Sequence, residues 1–174
     1  GEPIRLLFTV GEIEFTDHRY TVDEFADMAA FKAQLPFGQM PALEVDGVFI
    51  GQTDSIARLA ARLAGLYPSD PIEAARSDMI VVHQAEIQSA IAKMSFDGVP
   101  GTPEMKMVPQ EERQKRIAAF CETKLPVLLL RLENLAQDSC MVGSQLSWAD
   151  ISVFNRLHQL LDMNENVLQP DFPK

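Results

Sequence analysis

The sequence predicts an α/β unit of about 65 residues joined to a unit built only of helices. Two observations carry that prediction. As far as Tyr67-Pro68, β-rich runs alternate with helix-like apolar spacing, and Asp46-Gly47 sits between two of those runs as a hairpin turn would. Beyond Tyr67-Pro68 the apolar residues recur only at helical intervals.

In chain order, Pro3 followed by Ile4, Leu7 and Phe8 predicts a first helix. Residues 13–20 alternate apolar and polar in their first half and read as a strand. Thr21 is placed as the N-cap of a helix carrying Phe25, Met28, Ala29 and Phe31 to about Gln34. Next come Met40-Pro41-Ala42-Leu43-Glu44-Val45 and Val48-Phe49-Ile50, two strands around Asp46-Gly47, whose turn needs residues that tolerate positive φ. Residues 55–63 form a helix with Ile56, Leu59, Ala60 and Leu63 on one face, stopped by Gly65. A long helix over about 72–95 aligns Met79, Ile80, His83, Ile87, Ile91 and Met94. A loop over 97–109 leads to a helix over about 110–136, kinked at Pro126. Ser147 and Asp150 make a capping box for a last helix, flanked by Leu146 and Ile151 as a hydrophobic staple.

Composition narrows the function. The chain has 174 residues, with 15 Lys+Arg against 25 Asp+Glu and a net charge of −10, which repels phosphate and argues against a nucleic-acid partner. Apolar residues are 47% of the chain, enough for a core, and no run approaches the ~20 residues that cross a bilayer. Cys121 and Cys140 give no C-x-x-C, and His18, His83 and His158 lie too far apart for a local metal motif. The expectation is a soluble, acidic protein of a reducing compartment. The chain opens directly into a helix at Gly1 and stops in a loop-like Asp171-Phe172-Pro173-Lys174, so it reads as a fragment.

Few residues carry chemistry on their own. A cis Met40-Pro41 bond would leave the Met40 N–H and C=O outward, able to pair with a peptide-like ligand, although a strand-opening proline with no such role is the commoner case. Gln52 and Thr53 open a helix, whose free N–H groups and dipole attract a carboxylate; Thr53 could equally be a plain N-cap. Lys32 could meet a second carboxylate or serve only as a solvated charge at a helix end. Glu86 shares a face with Met79, Val82 and Ala90, where an acid meets a cation across an interface or stays a half-exposed helix acid. His83 reads as a hydrogen-bonded packing residue rather than a ligand, and neither cysteine has the basic surroundings of a reactive thiol.

Glu2-Pro3-Ile4-Arg5, Asp17-His18-Arg19, Pro36-Phe37-Gly38-Gln39-Met40-Pro41, Glu44-Val45-Asp46-Gly47, Gln52-Thr53 and the Ser147–Asp150 box, in this order and spacing, resemble the cytosolic glutathione S-transferases. The sigma-type group, with its alpha, mu and pi relatives, is the most similar. The resemblance implies a thioredoxin-like, glutathione-binding domain over residues 1–67, its first strand lying ahead of Gly1. It implies a helical-bundle domain over 71–174 with its C-terminal end cut short. It further implies that Met40 pairs with the cysteinyl backbone ahead of a cis Pro41, that Gln52 and Thr53 hold the γ-glutamyl carboxylate, and that Lys32 and Gln39 hold the glycyl carboxylate. Glu86 would reach the γ-glutamyl amine of a partner subunit.

Three departures stand out. Thr53 replaces the usual Ser and keeps its hydroxyl, Glu86 replaces the usual Asp, and Met28 stands where a Trp helps bind the glycyl end. The thiol-activating Tyr falls a few residues ahead of Gly1, so no catalytic residue is assigned within this chain. Without an interior strand the chain is expected to fold poorly.

The resemblance thus implies a cytoplasmic, homodimeric detoxification transferase that uses glutathione as co-substrate, needs no metal, and conjugates small hydrophobic electrophiles lying between the 72–95 helix and the glutathione cleft. A glutathione-dependent isomerase of prostaglandin type, or a non-catalytic crystallin-like relative, are the alternatives. Phe37 stands where relatives insert an aromatic plug into the partner subunit.

Overall fold

The structure, a computed structural model, describes residues 1–98, 104–136 and 139–163. Helix α1 (Glu2–Val10) carries Pro3 in its first turn and buries Ile4, Leu7 and Phe8, the three-and-four spacing that one helical face requires. It ends at Gly11, where a Cβ would lie 2.3 Å from the Ala64 Cβ. Glycine there lets α1 close onto the end of α4 (Thr53–Leu63).

Residues 13–20 are not a strand. Alternation supplies a face, but a strand persists only through a ladder, and among the described residues β1 (Ala42–Val45) pairs with β2 (Val48–Gly51) alone. The segment instead runs across a cleft of about 890 Å³ from β1. It is held by the Phe8–Phe15 ring contact (5.3 Å), by the Ile13 N–H donating to the Phe8 carbonyl (2.9 Å), and by Asp17. Asp17 accepts from Arg19 Nε at 2.6 Å and Arg5 Nε at 2.9 Å. The Arg19 hydrogen bond, and then that of Arg5, lower its pKa below the ordinary carboxylate value.

The helix expected from Thr21 to about Gln34 is two short ones, α2 (Val22–Asp27) and α3 (Ala29–Lys32), separated at Met28 with ψ of 52°. Thr21 does cap α2, in a full capping box with Glu24. The hairpin forms as the sequence predicts. Asp46 (φ 49°) and Gly47 (φ 80°) both take positive φ, and Val45 faces Val48. Gly65, at φ 70°, terminates α4 in a C-terminal cap in which the Leu66 N–H reaches back to the Ala61 carbonyl (2.8 Å).

Helix α5 (Pro71–Ser95) starts on Asp70, whose carboxylate accepts from the N–H groups of Ile72 and Glu73. Its buried stripe is Ser77, Ile80, Val81, Gln84, Ile87 and Met94. Met79, expected on that stripe, is 48% exposed, and two polar residues, Ser77 and Gln84, take inward positions. The segment expected to be a loop after α5 contains a two-residue pairing, β3 (Phe96–Asp97) with β4 (Lys106–Met107). The expected 110–136 helix is broken at Lys124 into α6 (Gln110–Thr123) and α7 (Leu125–Leu135), because Pro126 lacks an N–H and fits only the first turn of a new helix.

Helix α8 (Trp148–Met163) begins at the predicted box: the Ser147 N–H and hydroxyl both donate to one oxygen of Asp150, at 2.8 and 2.7 Å. The other Asp150 oxygen accepts from the Met141 N–H at 2.6 Å. Ile151 is buried, whereas Leu146 stays 47% exposed.

Two apolar cores result. One, between α5, α6, α7 and α8, is built on Ile87, Leu125, Leu129, Val142 and Leu160. The other packs α1 and α4 through Leu7, Phe8, Ile56 and Ala60, and draws in Val81 of α5 and Trp148 and Ile151 of α8. The Trp148 N–H also donates to the Leu66 carbonyl at 2.9 Å, and its ring lies 5.2 Å from the Arg58 guanidinium.

Candidate functional site

The site begins where α3 ends. Leu35 is buried, its N–H donating to the Lys32 carbonyl (3.1 Å), and the Gly38 N–H donates to the Leu35 carbonyl (3.2 Å) with Gly38 at φ 59°. These turns swing the chain through exposed Gln39 to Met40, and the Met40-Pro41 peptide bond is cis. Pro41 cannot donate, and β1 takes up its ladder only at Ala42. Neither the N–H nor the C=O of Met40 has a hydrogen-bond partner among the described residues.

The hairpin returns the chain to the same place. A Cβ on Gly51 would lie 3.1 Å from the Phe37 ring, so the loop holding Gln39 rests directly on the residue before Gln52. Gln52 has φ 68° and ψ 118°, a conformation that a residue with a Cβ adopts only under strain. Its carbonyl accepts the first helical bond, from Ile56 (3.0 Å), so Gln52 is the N-cap residue and Thr53 the first residue of α4. Thr53 is therefore not the cap, the plainer of its two roles. The side chains of Gln39, Gln52 and Thr53 make no hydrogen bond among the described residues, and no side chain caps α4. Open N–H groups, a helix dipole and two uncommitted polar side chains meet at one point, an arrangement that accepts a carboxylate.

Lys32 stands beside this loop through its carbonyl, but its ammonium donates to the Ala26 carbonyl (2.9 Å) and lies 4.8 Å from the Phe25 ring centre. Two of its three donors remain for a ligand.

Glu86 is elsewhere. It is exposed on α5 and faces Arg131 of α7 (3.5 Å) and His83 Nδ1 (3.7 Å). It shares that face with Met79, Val82, Val127 and Leu130, exposed by 48, 60, 51 and 53%. The chain thus gathers Gln39, Met40, Pro41, Gln52 and Thr53, places Lys32 alongside, and leaves Glu86 on a separate apolar surface. His83 is half-buried but lacks the hydrogen bond expected of it: its Nδ1 lies 3.7 Å from Glu86, and its Nε2 is buried without a partner among the described residues. Burial, with Glu122 adding to it, raises the Cys121 pKa, which suppresses its thiolate. Among the described residues no group of His, Cys, Asp and Glu could hold a metal ion, and no helix is long and apolar enough to cross a membrane.

A second cavity, of about 380 Å³, adjoins Thr53 and lies between α1, α4, α5 and α8. Gln84, 2% exposed, spans two of its walls. Its amide, oriented to satisfy its neighbours, donates to the Ser152 carbonyl (3.1 Å) and accepts from the Ser152 hydroxyl (3.3 Å) and the Val153 N–H (3.1 Å). Asn155, Arg156 and Gln159 of α8 also line it. This polar stripe is absent from the expectations above; its signal in the sequence is Ser152, Asn155, Arg156 and Gln159 at three- and four-residue steps.

Comparison with known proteins adds the relatives. Residues 102–174 match the family described as Glutathione S-transferase, C-terminal domain. The chain is 33% identical over 164 residues to Glutathione S-transferase 2 of Caenorhabditis elegans, covering 94% of this chain and 84% of that protein. It is 35% identical over 151 residues to the hematopoietic prostaglandin D synthase of Gallus gallus, covering 86% and 68%. A solved structure of rat hPGDS complexed with a quinoline superposes with a TM-score of 0.79 at 26% identity, over 99% of this chain and 79% of that one.

Proposed function

Because the chain belongs to the glutathione S-transferase family, we propose that its loop at Met40-Pro41 and the amino end of α4 grip glutathione and present the thiolate to a small hydrophobic electrophile. The observation that supports this reading is the convergence of groups without partners: the Met40 backbone, the side chains of Gln39, Gln52 and Thr53, and the strained Gln52 main chain. Glutathione offers two carboxylates, one amine and an extended backbone, and each finds a complement. The Met40 N–H and C=O pair with the cysteinyl residue as a neighbouring strand would. Gln52, Thr53 and the first turn of α4 receive the γ-glutamyl carboxylate, and Gln39 and Lys32 receive the glycyl carboxylate. Residues 1–67 form this half and residues 71–174 the helical half beside it.

In the reaction the thiolate sulfur forms a bond to an electrophilic carbon. The displaced electron pair passes to the electrophile, which then gains a proton or releases a leaving group. In this family a tyrosine hydroxyl stabilises the thiolate. No residue of this chain is given that role.

We place the protein in the cytoplasm as a homodimer paired through the exposed apolar face of α5 and α7, where Glu86 reaches the partner's glutathione. Phe37, 62% exposed, adds a contact there, and Phe37→Ala shifts the sedimentation profile toward monomer. An unchanged dimer removes Phe37 from the interface.

Titration calorimetry with glutathione, followed by mass spectrometry of the product from an aryl halide, tests the function. A conjugate carrying the glutathionyl group in place of the halide supports transfer, and absence of glutathione binding ends the proposal. The likeness to two prostaglandin D synthases favours a second reading, isomerisation with glutathione returned unchanged. The same mass measurement separates it from transfer.

A further inference from the structure

We propose that the cavity beside Thr53 selects an electrophile carrying a carboxylate, with Arg156 as its anchor, an inference that rests on the glutathione transferase reading above. Arg156 projects from α8 into this cavity of about 380 Å³. One end of its fork, Nη1, donates to the amide oxygens of Gln88 and Gln159, the latter at 2.7 Å. Among the described residues the other side is unspent: Nε is buried with no acceptor, and no hydrogen bond uses Nη2. No carboxylate lies within 4 Å of the guanidinium among the described residues, whereas Arg5, Arg58, Arg116 and Arg131 each have one. In a chain of net charge −10, a half-buried arginine held only by neutral amides is conspicuous, because buried cations are ordinarily paired. Burial lowers its pKa from the ordinary value, with Asp54, at the first turn of α4, partly opposing that fall. The group remains a cation at neutral pH.

The surroundings define the ligand. Asn155, 4% exposed, lines the same cavity, and its side chain makes no hydrogen bond among the described residues, so its amide can serve a bound group. A guanidinium with amides on its open side, in a cavity that also carries the Glu2 and Asp54 carboxylates, matches a monoanion better than a more highly charged group. A phosphate dianion would face stronger repulsion than a carboxylate from Glu2 and Asp54, which also line the cavity. Since Thr53 lines one wall, a carboxylate anchored in the cavity lies beside the γ-glutamyl end of the proposed glutathione site, and the rest of the electrophile extends from there toward the sulfur. For a conjugated enone, the sulfur adds to the β-carbon, the π electron pair moves onto the carbonyl oxygen, and a solvent proton completes the adduct.

The test measures binding, so it does not depend on turnover. Two glutathione S-conjugates of equal length are titrated calorimetrically into the 174-residue chain, one tail ending in a carboxylate and one in its methyl ester, with unconjugated glutathione as the third ligand. The acid is expected to bind about tenfold or more tightly than the ester, the scale of one charge-assisted hydrogen bond. Arg156→Gln should remove that advantage, and Arg156→Lys should keep part of it. Equal binding of acid and ester to the unaltered chain overturns the inference, without needing any variant to fold. It is also overturned if Arg156→Gln weakens glutathione itself as much as the acid, because Arg156 then serves a carboxylate of the peptide. If glutathione and the ester bind while the acid has no advantage, only this inference fails. If none of the three binds, the transferase reading fails and carries the inference with it.

Discussion

Gln52 offers a test in which stability and binding move in opposite directions. Its φ of 68° places a Cβ-bearing residue where glycine would sit without strain, and its side chain is exposed with no hydrogen bond among the described residues. A residue held in such a region costs about 1–3 kcal/mol, and glycine returns about 0.5–1 kcal/mol of that through the greater entropy of its unfolded chain. Gln52→Gly should therefore stabilise the protein without ligand by roughly 1 kcal/mol, or about 2–4 °C in Tm for a chain of this size. It also removes the amide proposed to donate to a carboxylate, a bond worth about 1.5–3 kcal/mol, so glutathione should bind about tenfold to a hundredfold more weakly. Gln52→Ala is the control, losing the same amide while keeping the Cβ and its strain. The expected order is Gly above Ala in thermal melts followed by circular dichroism, with both equally poor in glutathione calorimetry. The reasoning is refuted if Gln52→Gly melts at or below Gln52→Ala, or if either variant binds glutathione as the unaltered protein does.

Gly11→Ala would place a Cβ 2.3 Å from the Ala64 Cβ and 2.8 Å from its Cα. Since backbone must move to admit it, a loss of about 1–3 kcal/mol is expected in urea unfolding, whereas an unchanged midpoint would show that α1 and α4 are not in close contact. Asp150→Ala strands three donors, the Met141 and Ser147 N–H groups and the Ser147 hydroxyl, and should cost about 2–4 kcal/mol in the same assay. Asp17, whose folded pKa is depressed by Arg19 and then Arg5, stabilises the fold above its unfolded pKa, and that contribution is lost as pH falls through the folded value. Asp17→Asn should flatten the acid limb of a stability–pH curve; an identical limb would show that the tether of residues 13–20 carries no weight.

How much the sequence disclosed depended on the range of the forces involved. The Asp46-Gly47 hairpin, the Gly65 stop and the Ser147–Asp150 box were legible because each is decided by φ preference or by a side chain reaching its own backbone. Residues 13–20 were misread because alternation records a buried face, whereas a strand needs a neighbour that no local pattern reveals. The break at Met28 and the inward places of Ser77 and Gln84 follow from contacts between distant elements, which override helical propensity and apolar spacing. Of the site, Met40-Pro41 and Gln52-Thr53 stood out by residue type, but the strain at Gln52 did not, since glutamine gives no hint of positive φ. Arg156 escaped notice because an unpaired cation is visible only once every possible partner has a position.

Trp148 is the first residue of the last helix, yet its indole is 1% exposed within the core that packs α1 against α4, and its amide is tied to Leu66. The indole works as a rivet through the joint. Cutting the polypeptide in the short connector after Leu66 would give two pieces that still migrate as one particle, and heating would release them together rather than in turn.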